Sequence, residues 1–172
     1  MTRKIFVVKG TGFGSTKKSA FDDALKSAGI ENFNLIPLSS VIPPDTELEV
    51  IEKYPKTIVP GTMQPVVMAC VSSNVPDQNI SAGVGWRISK ENNGGIFVEV
   101  SNTEKLEVTK KELELGVKEI SEHRNWVWRD KGQFVLEETI VPEGKAASIV
   151  VVAVYDFIHL WGLVLPSNQI LL

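Results

Sequence analysis

The stretch AASIVVVAV, residues 146–154, is apolar almost throughout and rich in β-branched valine. β-Branched side chains pack well on a pleated sheet, so the stretch is typical of a strand. The apolar character continues to Leu165, which is long enough for a membrane span, but Asp156 and His159 interrupt it. A carboxylate in the middle of a span costs about 2.5–3.5 kcal/mol. We therefore predict a buried strand, followed by a hydrophobic tail, Ile158 to Leu172, that could cover a partner subunit.

Six further strands are predicted around this one. Apolar runs bounded by turn residues place them at residues 5–8, 35–38, 66–71, 83–88, 96–100 and 134–140. Turn formers such as the sequence NNGG, residues 92–95, separate several of these runs. The chain is thus expected to be mostly β.

Two amphipathic helices complete the predicted elements. The first, Thr16 to Ala28, has its apolar residues at helical spacing, Ser15 or Thr16 as N-cap and Gly29 to end it. The second begins at Thr109, which would form a capping box with Glu112, and continues toward residue 124. Two helices and about seven strands predict an α+β fold in which helices cover the outer faces of packed sheets.

The composition limits the classes of function. The 172 residues suit one domain, 1–172, and a formal net charge of -3 gives no basic surface for nucleic acid. The single cysteine, Cys70, excludes an internal disulfide and a cysteine zinc site, and the two histidines, His123 and His159, lie too far apart to suggest a metal site. The apolar run Ile5 to Val8 is too short for a signal peptide, so we expect a cytoplasmic protein without a membrane anchor.

A glycine-rich stretch, GTGFGS at residues 10–15, lies between a predicted strand and a predicted helix. A dinucleotide-binding loop has the pattern GxGxxG at such a place, but Ser15 stands where the last glycine or alanine is needed. The rest of the chain also lacks the regular alternation of helices and parallel strands of a Rossmann fold. We expect a flexible turn that leads into the helix.

Two pairs of adjacent serines are candidates for chemistry. Ser39-Ser40 ends a predicted strand and is followed by Pro43-Pro44, whereas Ser72-Ser73 precedes the turn-forming sequence NVPD, residues 74–77. Either pair is explained equally well as the end of a strand or the start of a loop. Local sequence alone therefore does not distinguish them.

The pattern around the first pair resembles that of the pyruvoyl-dependent arginine decarboxylases. The resemblance covers about residues 3–157 in order, and the tail from Ile158 looks like an extension. It is carried by AFD (20–22), NFNLI (32–36), SSVIPP (39–44), SNVP (73–76), ISA (80–82), GIFVEV (95–100) and the stretch from Trp126 to Tyr155.

This resemblance implies an αββα sandwich that cleaves itself. The Ser40 hydroxyl would attack the carbonyl of Ser39, giving a β chain of residues 1–39 and an α chain of residues 40–172 headed by a pyruvoyl group made from Ser40. This covalent cofactor would condense with the amine of an amino acid and accept the electrons released as carbon dioxide leaves. The second serine pair would lie in a structural loop. Family members form homotrimers with sites between neighbouring subunits, and trimers can pair into hexamers.

The resemblance also implies roles for three other residues. Asn34 matches the donor to the developing oxyanion, and Glu99 matches the glutamate that protonates the product, which requires a raised pKa. Asp22 matches the carboxylate that binds the substrate guanidinium with two parallel hydrogen bonds, and its neighbour Asp23 would be structural. Without the resemblance, Glu99 would be taken as a solvated carboxylate on a strand, and both aspartates as charges on a helix face.

The expected reaction is conversion of L-arginine to agmatine and carbon dioxide. Glu31 and Phe33 stand where small residues are expected, so they could narrow the pocket or add a charge to it. Decarboxylation of another amino acid such as histidine stays open, as does a homologue that never cleaves and serves as an interaction module.

Overall fold

A computed structural model of the protein describes residues 3–157 and contains, within that range, nine strands and two helices. In chain order they are β1 Arg3–Gly14, α1 Lys17–Ala28, β2 Phe33–Pro37, β3 Val41–Ile42, β4 Thr46–Val50, β5 Thr62–Ser73, β6 Asn79–Ile88, β7 Gly95–Asn102, α2 Leu106–Glu122, β8 Gln133–Ile140 and β9 Ala146–Tyr155. All seven predicted strands are present, and β3 and β4 are additional. None of the helices in this range is long and apolar enough to span a membrane. The predicted tail from Ile158 and His159 lie outside the described residues.

The strands form two sheets, and β9 is the central strand of the larger one. The five-stranded sheet has the order β2-β5-β9-β1-β4, and the four-stranded sheet has the order β3-β7-β6-β8. β9 runs antiparallel to both β1 and β5, and every one of its residues is buried. The apolar stretch that predicts a strand therefore owes its composition to burial on both faces.

Three apolar layers join the sheets and the helices. Between the sheets, Val151 and Tyr155 of β9 pack in one cluster with residues of β6 and β7 such as Val84 and Phe97. A second cluster joins the opposite face of the five-stranded sheet to α1, and a third joins the four-stranded sheet to α2. These layers confirm the predicted αββα arrangement of an α+β fold.

The glycine-rich stretch belongs to β1, so the predicted flexible turn is wrong. Gly10 and Gly12 face α1, and a Cβ added to either would lie 2.1 Å from the backbone of Ala24. The alternating glycines therefore allow the helix backbone to contact the strand backbone directly. As predicted, Thr16 is the N-cap of α1 and Gly29, at φ 75°, ends the helix.

The second helix begins three residues earlier than predicted, at Leu106, with Lys105 as an N-cap that makes no side-chain capping bond. Thr109 is fully buried inside the helix, and its hydroxyl is 2.7 Å from that of Ser81 on β6. The predicted capping box is therefore wrong, because the Thr109 hydroxyl is hydrogen-bonded to Ser81 of the sheet and Thr109 lies inside the helix.

Replacing Gly12 by alanine tests the close contact between α1 and β1. The added methyl group would collide with backbone atoms that cannot rotate away, so we expect a loss of about 1–3 kcal/mol of unfolding free energy, measured by chemical denaturation. Gly116→Ala on α2 is the control, because its methyl group meets only a side-chain carbon of Val98, at 3.0 Å, and alanine favours the helix. Equal stabilities of Gly12→Ala and the unmodified protein would contradict a direct contact between the backbones of α1 and β1.

Candidate active site at the junction of the two sheets

The chain passes from one sheet to the other within residues 38–40. The Leu38 amide donates to the carbonyl of Val66 in the five-stranded sheet at 2.8 Å, and the Ser40 carbonyl accepts from the Phe97 amide in the four-stranded sheet at 2.8 Å. Between these two anchors, Ser40 has φ 63°, in the left-handed region. Such a conformation costs a residue other than glycine about 1–3 kcal/mol and persists only where its surroundings enforce it. The Ser39-Ser40 peptide bond therefore lies in a strained turn.

The Ser40 hydroxyl donates to the carboxylate of Glu99. The Ser40 Oγ lies 2.9 Å from Oε1 and 2.8 Å from Oε2 of that side chain. Glu99 shares the inward face of β7 with Phe97, because the two are separated by two positions on a strand. It is nevertheless exposed, since β3 pairs only with the first two residues of β7. A carboxylate in contact with a hydroxyl can orient it and accept its proton.

Tyr155 also reaches this junction, although no role was predicted for it. Its buried hydroxyl donates to the carbonyl of Val41, the residue after Ser40, at 2.8 Å. Burial raises the pKa of Tyr155, and the negative charge of Glu99 raises it further. The sequence did carry a signal, because a tyrosine at the end of a valine-rich strand needs a partner for its hydroxyl.

Asp22 lines a cavity between α1 and the segment that follows it, residues 31–33. The cavity measures about 530 Å³, and Phe21, Leu25 and Phe33 supply apolar parts of its wall. Glu31 lines it as well, so the two unexpected residues, Glu31 and Phe33, lie beside Asp22. Neither Ser40 nor Glu99 is among its lining residues.

The two neighbouring aspartates of α1 have different environments. Asp23 accepts a hydrogen bond from the Phe13 amide at 3.0 Å and so ties the middle of α1 to the end of β1. Asp22, in contrast, faces the cavity. The geometry thus agrees with a structural role for Asp23.

Asn34 lies on β2, five residues before Ser39. Its side-chain amide is exposed and donates to the Gly61 carbonyl at 3.0 Å. The amide nitrogen carries a second hydrogen that this bond does not use. Within one chain, the structure thus brings Ser40 together with Glu99 and gives Asn34 and Asp22 separate surroundings.

The competing pair, Ser72-Ser73, ends β5, so its predicted location in a loop is wrong. The Ser72 hydroxyl is 2.8 Å from that of Ser148 on β9, and the Ser73 hydroxyl donates to Gln78. The backbones of both serines lie in the antiparallel ladder with β9. The pair therefore differs from Ser39-Ser40 in having a regular strand backbone and no carboxylate partner for either hydroxyl.

Comparison with known proteins shows the family of the chain. The family "Pyruvoyl-dependent arginine decarboxylase" matches residues 4–158. The chain belongs to this family. A member from Thermococcus sibiricus is 37% identical over 150 residues, covering 87% of this chain and 94% of that protein. One from Pyrococcus horikoshii is 34% identical over 155 residues, covering 90% and 96%.

A solved structure supports the family's fold in this chain. The pyruvoyl-dependent histidine decarboxylase at pH 8 aligns with a TM-score of 0.51 and 14% sequence identity. The alignment covers 83% of this chain and 62% of the other, so this chain spans about three fifths of that protein. At this identity the likeness concerns the fold alone.

Proposed function

We propose that the chain is a precursor that cleaves itself between Ser39 and Ser40, and that the processed protein converts L-arginine to agmatine and carbon dioxide. The observation that carries the proposal is the strained turn at Ser40 with its hydroxyl on Glu99. The relatives named pyruvoyl-dependent arginine decarboxylase favour arginine over histidine as substrate.

Cleavage would begin with attack of the Ser40 Oγ on the carbonyl carbon of Ser39. The C–N bond breaks, an ester forms, and the hydroxyl proton passes to the departing nitrogen, while the hydrogen bond to Glu99 orients the hydroxyl. Loss of the Ser40 α-proton then breaks the Cβ–Oγ bond and frees the Ser39 carboxylate. Water supplies the ketone oxygen, and the serine nitrogen leaves as ammonia. Ser39 would thus end a β chain of residues 1–39, and Ser40 would supply the pyruvoyl group of an α chain, 40–172.

The residues at the junction suit a pyruvoyl group at position 40. The group supplies a ketone that bonds the substrate nitrogen and withdraws electrons as carbon dioxide leaves. Processing removes the Ser40 hydroxyl, which is hydrogen-bonded to Glu99 in the precursor. The carboxyl group of Glu99 would then face the reacting centre. Glu99 would then give its proton to the substrate α-carbon.

Asp22 would hold the guanidinium of the substrate. A carboxylate binds that group with two parallel hydrogen bonds, and the apolar wall formed by Phe21 and Phe33 suits the methylene stem of arginine. Glu31 adds a second carboxylate to the same cavity and favours a cationic side chain over a neutral one.

The complete site would need more than one copy of the chain. Asp22 lines a cavity, and Ser40 is not among the residues that line it. At the junction, the apolar side chains of Ile36, Leu38 and Val41 are exposed. Exposed apolar groups beside a reactive turn favour contact with a second copy. We propose a homotrimer, which could pair into a hexamer, with Asp22 and Ser40 supplied by neighbouring subunits. Asn34, whose second amide hydrogen is available, would stabilise the oxyanion formed at Ser39.

The mass of the purified protein tests the proposed cleavage. We expect two chains that divide after Ser39, with the α chain lighter by one ammonia than a simply hydrolysed one. Ser40→Ala should stay whole because it lacks the nucleophile, whereas Ser72→Ala should cleave normally. A single uncut chain in the unmodified protein would overturn the proposal.

Glu99→Gln separates cleavage from decarboxylation. The amide oxygen can still accept the Ser40 hydroxyl, so we expect two chains, but it has no acidic proton, so turnover of arginine should fall about 100-fold or more. Glu143→Gln, on an exposed turn, is the control and should not change either step. Wild-type turnover by Glu99→Gln would rule out its role as the proton donor.

Asp22→Asn tests substrate recognition against its neighbour. Loss of a charged hydrogen bond to the guanidinium should raise the KM for arginine roughly 10-fold or more. Asp23→Asn keeps an oxygen acceptor for the Phe13 amide and should leave the KM unchanged. A panel containing arginine, lysine and histidine completes the test, and a preference for histidine would contradict arginine as the substrate.

A further inference from the structure

Tyr155 connects the two sheets at the point where cleavage is proposed. It is the last residue of β9 in the five-stranded sheet, and the residue is 4% exposed. The hydroxyl donates across the sandwich to the carbonyl of Val41, at 2.8 Å. Val41 lies on β3, which belongs to the four-stranded sheet. The ring contacts Phe97 of β7 edge-on, with centroids 6.2 Å apart. The side chain therefore has an apolar anchor and one directed polar contact.

Val41 is weakly held by the strand to which it belongs. β3 has two residues, and its only strand partner in the described range is β7. On its other side the chain passes into the turn at Ser40. The Tyr155 hydroxyl thus provides an anchor that does not depend on the short ladder.

We propose that Tyr155 is a positioning residue for self-cleavage, which fixes Val41 and thereby holds the Ser40 hydroxyl on Glu99. The inference rests on the proposed function. Residue 40 keeps its left-handed backbone only while both flanks are restrained. The Leu38 amide restrains one flank, and the Phe97 amide together with Tyr155 restrains the other.

The contact would matter again once the chain is cut. The Ser39-Ser40 bond no longer joins residue 40 to β2, so the new terminus depends on β3 and its contacts alone. Tyr155 would then keep residue 40 facing Glu99. A reacting group displaced by about 1 Å can cost 100-fold in rate.

Tyr155→Phe removes the hydroxyl and keeps the ring, and the rate at which precursor becomes two chains is the readout. We expect cleavage to slow roughly 10-fold or more, since Ser40 would spend less time in the attacking geometry. Tyr54→Phe is the matched control. Tyr54 is also buried and donates its hydroxyl to Asp156 at 2.9 Å, but it packs with Phe6 and Phe33 on the α1 side of the sheet.

The control decides between positioning and general stabilisation. Normal cleavage by Tyr54→Phe together with slow cleavage by Tyr155→Phe supports the proposal. Normal cleavage by Tyr155→Phe, or equal slowing by both variants, overturns it.

A second measurement tests the same contact without cleavage. In the Ser40→Ala background, Tyr155→Phe should speed hydrogen exchange of the Phe97 amide, which donates to the carbonyl of residue 40, and leave that of the Asp156 amide unchanged. Unchanged exchange at Phe97 would contradict the proposal. If the unmodified chain never cleaves, the proposed function fails, while this exchange still shows whether Tyr155 fixes the turn.

Discussion

Three residues, 38–40, carry the chain from the five-stranded sheet to the four-stranded one, and each end of this short crossing is hydrogen-bonded to a different sheet. With both ends fixed, the turn places Ser40 in the left-handed region, at φ 63°. The left-handed conformation is unfavourable in free energy for a serine, whereas the backbone of an ordinary strand is not. The strain therefore lies in the residue whose bond to Ser39 we propose is broken, and cutting that bond would free residue 40 from one of its two restraints.

The turn stays strained because the frame around it is stiff. β9 lies between two strands in one sheet and is buried on both faces, and α1 packs directly on the backbone of β1 at Gly10 and Gly12. Close-packed interiors of this kind transmit strain and do not absorb it. Tyr155 connects this rigid sheet to the junction, since it belongs to β9 and its hydroxyl donates to the carbonyl of Val41.

The chemistry is divided between groups that one chain brings together and groups that it keeps apart. Ser40 and Glu99 are in hydrogen-bond contact across 59 positions of sequence, whereas Asp22 faces a cavity that neither of them lines. The contact between Ser40 and Glu99 therefore needs only the fold of one chain. Under the proposed function, substrate binding would need an assembly, and the exposed apolar side chains of Ile36, Leu38 and Val41 would suit a contact with a second copy.

The sequence by itself determined the elements whose causes are local. The valines of residues 146–154 predict the strand β9. The helical spacing of apolar residues predicts α1, with Thr16 as a capping side chain and Gly29 as a residue that can adopt the left-handed backbone at the end. The glycine strand, the buried Thr109 and the short strands β3 and β4 were missed, because each depends on a partner distant in sequence. The sequence resemblance named Ser40 and Glu99. For Tyr155 the sequence indicated only that its hydroxyl needs a partner, and not that this partner lies at the junction. Only the tertiary structure distinguishes the two serine pairs physically: Ser72-Ser73 lies in a ladder with both hydroxyls engaged, and Ser39-Ser40 spans two sheets that hold its backbone in a strained turn.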